Sequence, residues 1–438
     1  MLTIGLGEAD ICPTSPHPMA GFGLARTACH EGVHDPIAAR CVVFQNGDEH
    51  LALVSCEIIG LKKDLHDAIR RELPAAWNLP PERLLITCTH THGGPVINDA
   101  YFPILRDGVL RAVETALADR RPRRLAVGST THDEWVGFNR RHLTTGFLPV
   151  DREIPYLVVR EENENLRAIL FHYACHPSVL GPDNLFLTAD WPGYTRRSLQ
   201  SALGRDVSVL YLKGTEGDIN TGYSAGISSL GIRIPTRTHA TAERVGTILA
   251  RSLLADLPRA RTLSAPDIHF SHSRRALTYR DAADLPASQK NAEYWESEVS
   301  RAQRENWPSH RLLSTREQAA FARFDTAALE EIHAAGVRER WTDQMAWRIG
   351  PVGFLSLPGE FFVESGLRIK REAVSDITFS LGITGDYLGY FPTEAAFAEG
   401  GYEVACARFV PSTADAWCTD GITVLNRLFL HDQSSDQS

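Results

Sequence analysis

Short runs rich in Val, Ile, Leu and Phe alternate along the chain with stretches whose apolar residues recur at helical spacing, the pattern of an α/β protein. Strands are predicted over 39–44 and 51–59, with Gln45-Asn46-Gly47-Asp48 between them as a hairpin signal. The spacing then predicts a helix over 61–73, a strand over 83–89 and a helix over 104–117 that covers a sheet face. Further strands are predicted over 156–160, 166–174, 207–212, 352–357 and 378–383, and a helix over 240–254. The expected fold is therefore α/β, with a mixed central sheet flanked by helices.

From about residue 279 to 346 the texture changes to Gln, Glu, Arg and Ala, as in QKNAEYWESEVSRAQREN. This predicts a helical insertion between two blocks of sheet sequence, one that keeps Tyr294, Trp295, Leu312, Phe321 and Phe324 for packing and walls one side of a cleft. Residues 431–438 are polar and predict a disordered tail, so the expected organisation is one catalytic domain over 1–430.

Composition narrows the function. With 438 residues, 43% hydrophobic and 23% charged, the chain has the make-up of a soluble protein able to bury one or two substantial cores. Its 45 Lys+Arg against 54 Asp+Glu leave a formal charge of −9, which disfavours a nucleic-acid binder needing a basic face. The N-terminal residues lack a basic start and a continuous apolar run, and no apolar stretch approaches the ~18 residues of a membrane span. A soluble, cytoplasmic protein is expected, without stable membrane insertion. The 8 cysteines are scattered without a Cys-x-x-Cys pair, which favours buried free thiols over a disulfide framework.

The candidate chemistry lies just past predicted strands. One strand runs into Cys88-Thr89-His90-Thr91-His92, where an extended backbone turns both imidazoles to one side. Others run into Cys175-His176-Pro177, into Lys213-Gly214-Thr215-Glu216-Gly217-Asp218-Ile219-Asn220, into Pro358-Gly359-Glu360, and into Thr384-Gly385-Asp386-Tyr387-Leu388-Gly389-Tyr390. Strand carboxyl ends form the ligand crevice of open α/β sheets, so these exits would converge on one site. Imidazoles, a carboxylate and a phenol together can supply N and O ligands to Zn²⁺. Taken singly, each has a structural explanation. His176 could be a buried histidine before a turn, Glu360 a helix-capping carboxylate and Tyr390 a packing residue.

The motifs in their order resemble the catalytic domain of the neutral/alkaline ceramidase family. The likeness begins at Gly5-Leu6-Gly7-Glu8-Ala9-Asp10-Ile11 and Pro18-Met19-Ala20-Gly21-Phe22. It continues through Thr89-His90-Thr91-His92-Gly93-Gly94-Pro95, Asn139-Arg140, Cys175-His176-Pro177 and Gly217-Asp218-Ile219-Asn220. It ends with Pro358-Gly359-Glu360-Phe361 and Gly389-Tyr390-Phe391-Pro392-Thr393. The resemblance implies that His90, His176, Glu360 and Tyr390 bind one catalytic Zn²⁺. It also implies that His92 and Arg140 sit beside the substrate and steady oxyanion charge, and that Tyr402 is a further active-site tyrosine.

Two departures bear on the substrate. Where the family carries Gly-Asp-x-Ser-Pro-Asn, this chain has Asn220 at the serine position, and asparagine cannot serve as an alkoxide nucleophile. The last matching motif ends near residue 410, which leaves no room before Ser438 for the family's immunoglobulin-like C-terminal domain. The expectation is a zinc-dependent hydrolase that uses metal-activated water on an N-acyl amide other than ceramide, with Asp218 or Asp190 as base. Two alternatives stand beside it: cleavage of an ester or glycosidic bond in a small polar molecule, and a metal-containing binding protein without turnover. The expected partner is a small-molecule substrate, with homo-oligomerisation open. Asp218 and Asn220 could equally cap a turn, and Asp190 could cap a helix that starts at Trp191-Pro192. Trp191 and His172 read as core residues, and His269 and His272 as surface ones.

Overall fold

The computed structural model describes residues 2–142 and 149–430; the expected disordered tail, 431–438, lies outside them. Among the described residues, three principal mixed sheets carry the fold. The first contains β1 (Thr3–Asp10), β2 (Ala38–Asn46), β3 (Glu49–Cys56) and β4 (Leu84–Cys88), in the order β4-β3-β2-β1. The β2–β3 hairpin closes where predicted, with Asn46 opposite Glu49 and Gly47 supplying φ 60° in the turn. Helix α1 (Lys63–Arg71) carries the chain from β3 to β4, which pair in parallel. Helix α2 (Phe102–Ala118) lies against β1 at Gly5 and Gly7, where a Cβ would come within 1.8 Å of the Ala116 carbonyl oxygen and 2.0 Å of that of Ala112.

The second sheet contains β5 (Arg124–Thr131), β6 (Glu153–Arg160), β7 (Leu166–Tyr173) and β8 (Ser208–Lys213), in the order β8-β7-β6-β5. Here β7 and β8 run parallel, joined through α3 (Trp191–Leu203), and α4 (His239–Asp256) packs beside α3 over the same face. The third sheet contains β9 (Ile268–Thr278), β10 (Glu339–Ile349), β11 (Val352–Ser356) and β12 (Ile377–Leu381), in that order. The connection between β9 and β10 is a pair of helices, α5 (Leu285–Arg304) and α6 (Ser309–Ala335). Helix α7 (Val363–Glu372) links the parallel strands β11 and β12, and α8 (Thr413–Leu430) covers this sheet with Trp417, Ile422 and Leu425.

The structure departs from the sequence reading in three places. The α/β class stands, but the single central sheet is replaced by three sheets around a shared core. Leu53, Leu157, Leu170, Leu210, Trp347, Phe354 and Phe379 from all three meet in one apolar cluster. The insertion is helical over α5, α6 and a short 3-10 turn before them, Ala282–Asp284, and not to its end. The end of the expected 279–346 span is β10, whose Arg, Asp and Gln residues mask a strand buried from Thr342 onward. Within the insertion Tyr294 stands 55% exposed, so it does not serve packing as expected.

The sheets meet at the carboxyl ends of their strands. Ser55 Oγ donates to the Tyr211 carbonyl at 2.6 Å, Cys88 N to that of Ile383 at 3.1 Å, and Gly382 N to that of Lys213 at 3.0 Å. This junction places the exits of β4, β7, β8, β11 and β12 around one point. No helix among the described residues is long and apolar enough to cross a membrane.

Candidate metal centre

His90 follows β4 in a left-handed backbone conformation, φ 67°, which is uncommon for a residue with a Cβ. Backbone bonds hold it there: Thr89 N donates to the Cys56 carbonyl and His90 N to that of Ile58, each at 2.9 Å. The conformation turns the ring inward, with Nδ1 2.6 Å from the Ile59 carbonyl oxygen. His176, past β7, is held by its own backbone N–H and by Nδ1, both 3.0 Å from the Ile219 carbonyl oxygen. Glu360, past β11, pairs with Tyr390 in a two-residue parallel ladder. Its Oε2 lies 3.0 Å from His176 Nε2 and 3.3 Å from His90 Nε2, and its Oε1 accepts from Tyr387 Oη at 2.8 Å.

A backbone carbonyl can only accept, so Nδ1 of each imidazole carries the donated proton. Burial, reinforced by the positive charge of Arg140, lowers the His176 pKa and keeps that ring neutral. The His176 Nε2 lone pair then faces the Glu360 carboxylate, and His90 Nε2 meets the same carboxylate oxygen. All three side chains are 2% exposed or less. A metal cation resolves this arrangement, and the Nδ1-to-carbonyl bonds are the outer supports that orient histidine ligands. The residues present therefore fit a divalent ion.

Around this core the other predicted residues fall into two groups. His92 joins the cluster, with Nε2 3.4 Å from His90 Nε2 and the ring edge-on to Phe22. Burial, with His90, His176 and Arg26 beside it, holds its pKa well below the usual histidine value. Arg140 Nη2 donates to Tyr390 Oη at 3.0 Å and to the Gly217 carbonyl at 2.8 Å, while Nε donates to Glu403 at 2.7 Å. The guanidinium carbon lies 5.7 and 5.8 Å from the ring centroids of Tyr390 and Tyr402, so one cation is framed by both predicted tyrosines. Tyr402 is packed from the insertion by Phe321 and Phe324, at centroid distances of 6.4 and 5.5 Å.

Asp190, Asp218 and Asn220 have their polar atoms engaged by nearby structure. Asp190 accepts from Val179 N, Leu180 N and Trp191 N and caps α3, and burial pushes its pKa up to about 6. Asp218 accepts from Asn139 Nδ2 at 2.6 Å and Val363 N at 2.8 Å, and burial pushes it up to about 7. Asn220 closes a turn: Oδ1 accepts from Gly222 N and Tyr223 N, and Nδ2 donates to the Tyr223 carbonyl. The core readings match the packing: Trp191 is fully buried, and His172 Nε2 lies 3.0 Å from the Ser380 carbonyl oxygen. His269 and His272 face Asp267 and Asp343 away from the cluster.

Sequence reasoning singled out neither Tyr387 nor Glu216. Both lie in the strand exits already noted, and an oxygen of Glu216 is within 4.8 Å of the ligand atoms of His90, His176 and Glu360. A linear segment does not say which of its polar side chains turns inward.

Fold and cluster together define an α/β protein with a buried His and carboxylate centre able to hold a metal ion. Over 93% of its length the chain is 24% identical to neutral ceramidase from Mycobacterium tuberculosis (strain ATCC 25618 / H37Rv), spanning 74% of that protein. The crystal structure of neutral ceramidase from Pseudomonas aeruginosa matches with a TM-score of 0.74 and 17% identity, over 98% of this chain and 74% of that one. A ceramidase complexed with C2 matches with a TM-score of 0.71 and 16% identity, over 98% of this chain and 75% of the other. No protein-family model matches the sequence. The chain is thus similar in sequence to a neutral ceramidase and has the fold of the solved ones.

Proposed function

We propose that this chain is a zinc-dependent amidohydrolase acting on a compact N-acyl amide other than ceramide. The observation that carries the metal reading is the meeting of His90 Nε2, His176 Nε2 and Glu360 Oε2 in a closed space. These residues would hold the ion, with Tyr390 as the neighbouring phenol on the strand paired with Glu360. Zinc, which suits N and O donors, would supply a Lewis acid that polarises a carbonyl and acidifies water.

The remaining roles belong to the chain itself. Arg140, charged and bonded to Tyr390, offers a fixed cation to oxyanion charge, a place where one donor is worth roughly 10²–10³ in rate. His92, neutral because it is buried, stands on the same side as His90 and His176. Asp218, with its pKa near 7, is the carboxyl able to hold or release a proton at neutral pH. Asp190 and Asn220 keep the strand exits in shape. The apolar core shared by the three sheets supports reading residues 1–430 as one catalytic unit.

A cavity of about 260 Å³ supports the compact substrate. It is bounded by Arg140, Tyr402 and Glu403 on one side and by Glu317, Gln318 and Phe321 of α6 on the other. Its charged walls and small volume suit a polar molecule better than a long acyl chain. The same polarity favours the second reading, cleavage of an ester or glycosidic bond in a small polar molecule. Zinc-loaded protein assayed on short- and long-chain N-acyl amides, acyl esters and aryl glycosides separates them. Fastest turnover is expected on short-chain amides. Turnover confined to esters or glycosides would replace the amide reading, and a preference for ceramide would overturn the compact one.

A further inference from the structure

Two further charges are buried at the cluster. Lys213, the last residue of β8, and Glu216, three residues on, form an ion pair in which neither side chain has any exposure. Among the described residues, neither Lys213 Nζ nor either carboxylate oxygen of Glu216 has a further hydrogen-bond partner, which leaves the ion pair as their compensation there. A buried pair that served the fold alone would need its remaining lone pairs bonded, because desolvation of two charges otherwise exceeds their attraction. Here those lone pairs are orphaned, and a Glu216 oxygen lies within 4.8 Å of the ligand atoms of His90, His176 and Glu360.

We propose that Glu216 is a second carboxylate ligand of the metal ion and that Lys213 is the residue positioning it. The inference rests on the metal reading of His90, His176 and Glu360. In charge terms, two carboxylates, one ammonium and two imidazoles acting as neutral ligands leave the centre with a net charge of −1, which a divalent cation more than offsets. The unbonded Glu216 lone pairs become ligand electrons, and the Lys213 ammonium takes the outer place that carboxylate ligands need to hold their orientation. The position is set by the backbone: Gly382 N bonds the Lys213 carbonyl at 3.0 Å, and a Cβ at Gly382 would meet Lys213 Nζ at 2.9 Å. The centre would then have two nitrogen and two carboxylate donors, a set that also admits harder divalent ions than zinc.

The test measures zinc binding by the full chain, with a chromophoric chelator as competitor and X-ray absorption of the zinc-loaded protein. Glu216→Gln removes the ligand charge. The double variant Lys213→Met with Glu216→Met replaces both charges by apolar side chains of similar volume, so the fold survives the loss of the pair. The wild type is expected to bind one zinc, and both variants to bind it more than about 10-fold more weakly with one fewer oxygen neighbour. Circular dichroism of the double variant should remain that of the wild type. Unchanged zinc affinity and coordination in the double variant would overturn the role of Glu216 and leave the His90, His176 and Glu360 reading intact. A wild type that binds no zinc, or a His176→Ala variant that binds it normally, would overturn the metal reading itself.

Discussion

Tyr387 Oη donates to Glu360 Oε1 at 2.8 Å, and the other oxygen of the same carboxylate stands 3.0 Å from His176 Nε2. The phenol thereby fixes which oxygen faces the imidazoles. Tyr387→Phe keeps the ring and removes the donor, so Glu360 can rotate. Zinc affinity is expected to fall on the order of 10–100-fold, the scale of an outer-shell loss, with secondary structure unchanged. Chelator competition reads this directly, and wild-type affinity in the variant would show that Tyr387 does not orient Glu360.

Asn220, which the motif resemblance sets against a serine, ties a turn through three hydrogen bonds to Gly222 and Tyr223. Asn220→Ser cannot remake all three. It should lower unfolding stability by roughly 1–3 kcal/mol and leave turnover of N-acyl amides no higher than wild type. Denaturant unfolding and a rate assay check both parts, and a gain in amide hydrolysis would show that position 220 can take a catalytic role in this chain.

Phe324 of α6 meets the Tyr402 ring edge-to-face at 5.5 Å and 89°. Phe324→Ala removes that wall without touching His90, His176 or Glu360. About 1–2 kcal/mol of stability should be lost, and KM should rise by a larger factor than kcat falls, because Tyr402 lines the cavity and not the metal cluster. A fall in kcat with KM unchanged would place Tyr402 in the chemical step instead.

His172 is buried on β7, and burial with the charge of Lys370 lowers its pKa from 6.5 to about 4. The unfolded chain takes up a proton below pH 6.5 that the folded ring accepts only near pH 4. The stability from keeping this ring neutral is therefore complete above pH 6.5 and is lost as the pH falls towards 4. Between pH 7 and 5 the loss amounts to about 2 kcal/mol. His172→Gln removes the titration and keeps a donor for the Ser380 carbonyl. Denaturant unfolding at both pH values should show the wild type losing about 2 kcal/mol more than the variant, and equal losses would contradict the assignment.

Much of this molecule was legible in the linear chain. The β2–β3 hairpin, helices α1, α2 and α4 and the strands flanking the site follow from periodicity and turn residues, which are local properties. The strand-exit positions of His90, His176, Glu360 and Tyr390 were legible for the same reason. Less legible were β10, whose polar residues are buried against a neighbouring strand and α8, and the division into three sheets, since strand pairing over long separations leaves no periodic trace.

By itself the sequence determined which residue types stand after which strands, and hence that imidazoles, carboxylates and phenols were available for a metal centre. Only the tertiary structure decided which of them meet. It turned His90 inward through a left-handed backbone, and it assigned Asp190 and Asn220 to cap and turn. It also set Tyr387 on Glu360 and buried Lys213 with Glu216 beside the cluster. The physical reason is that a ligand set is a relation between lone-pair directions from separate sheets. Those directions become fixed only when the apolar core has brought the strand ends together.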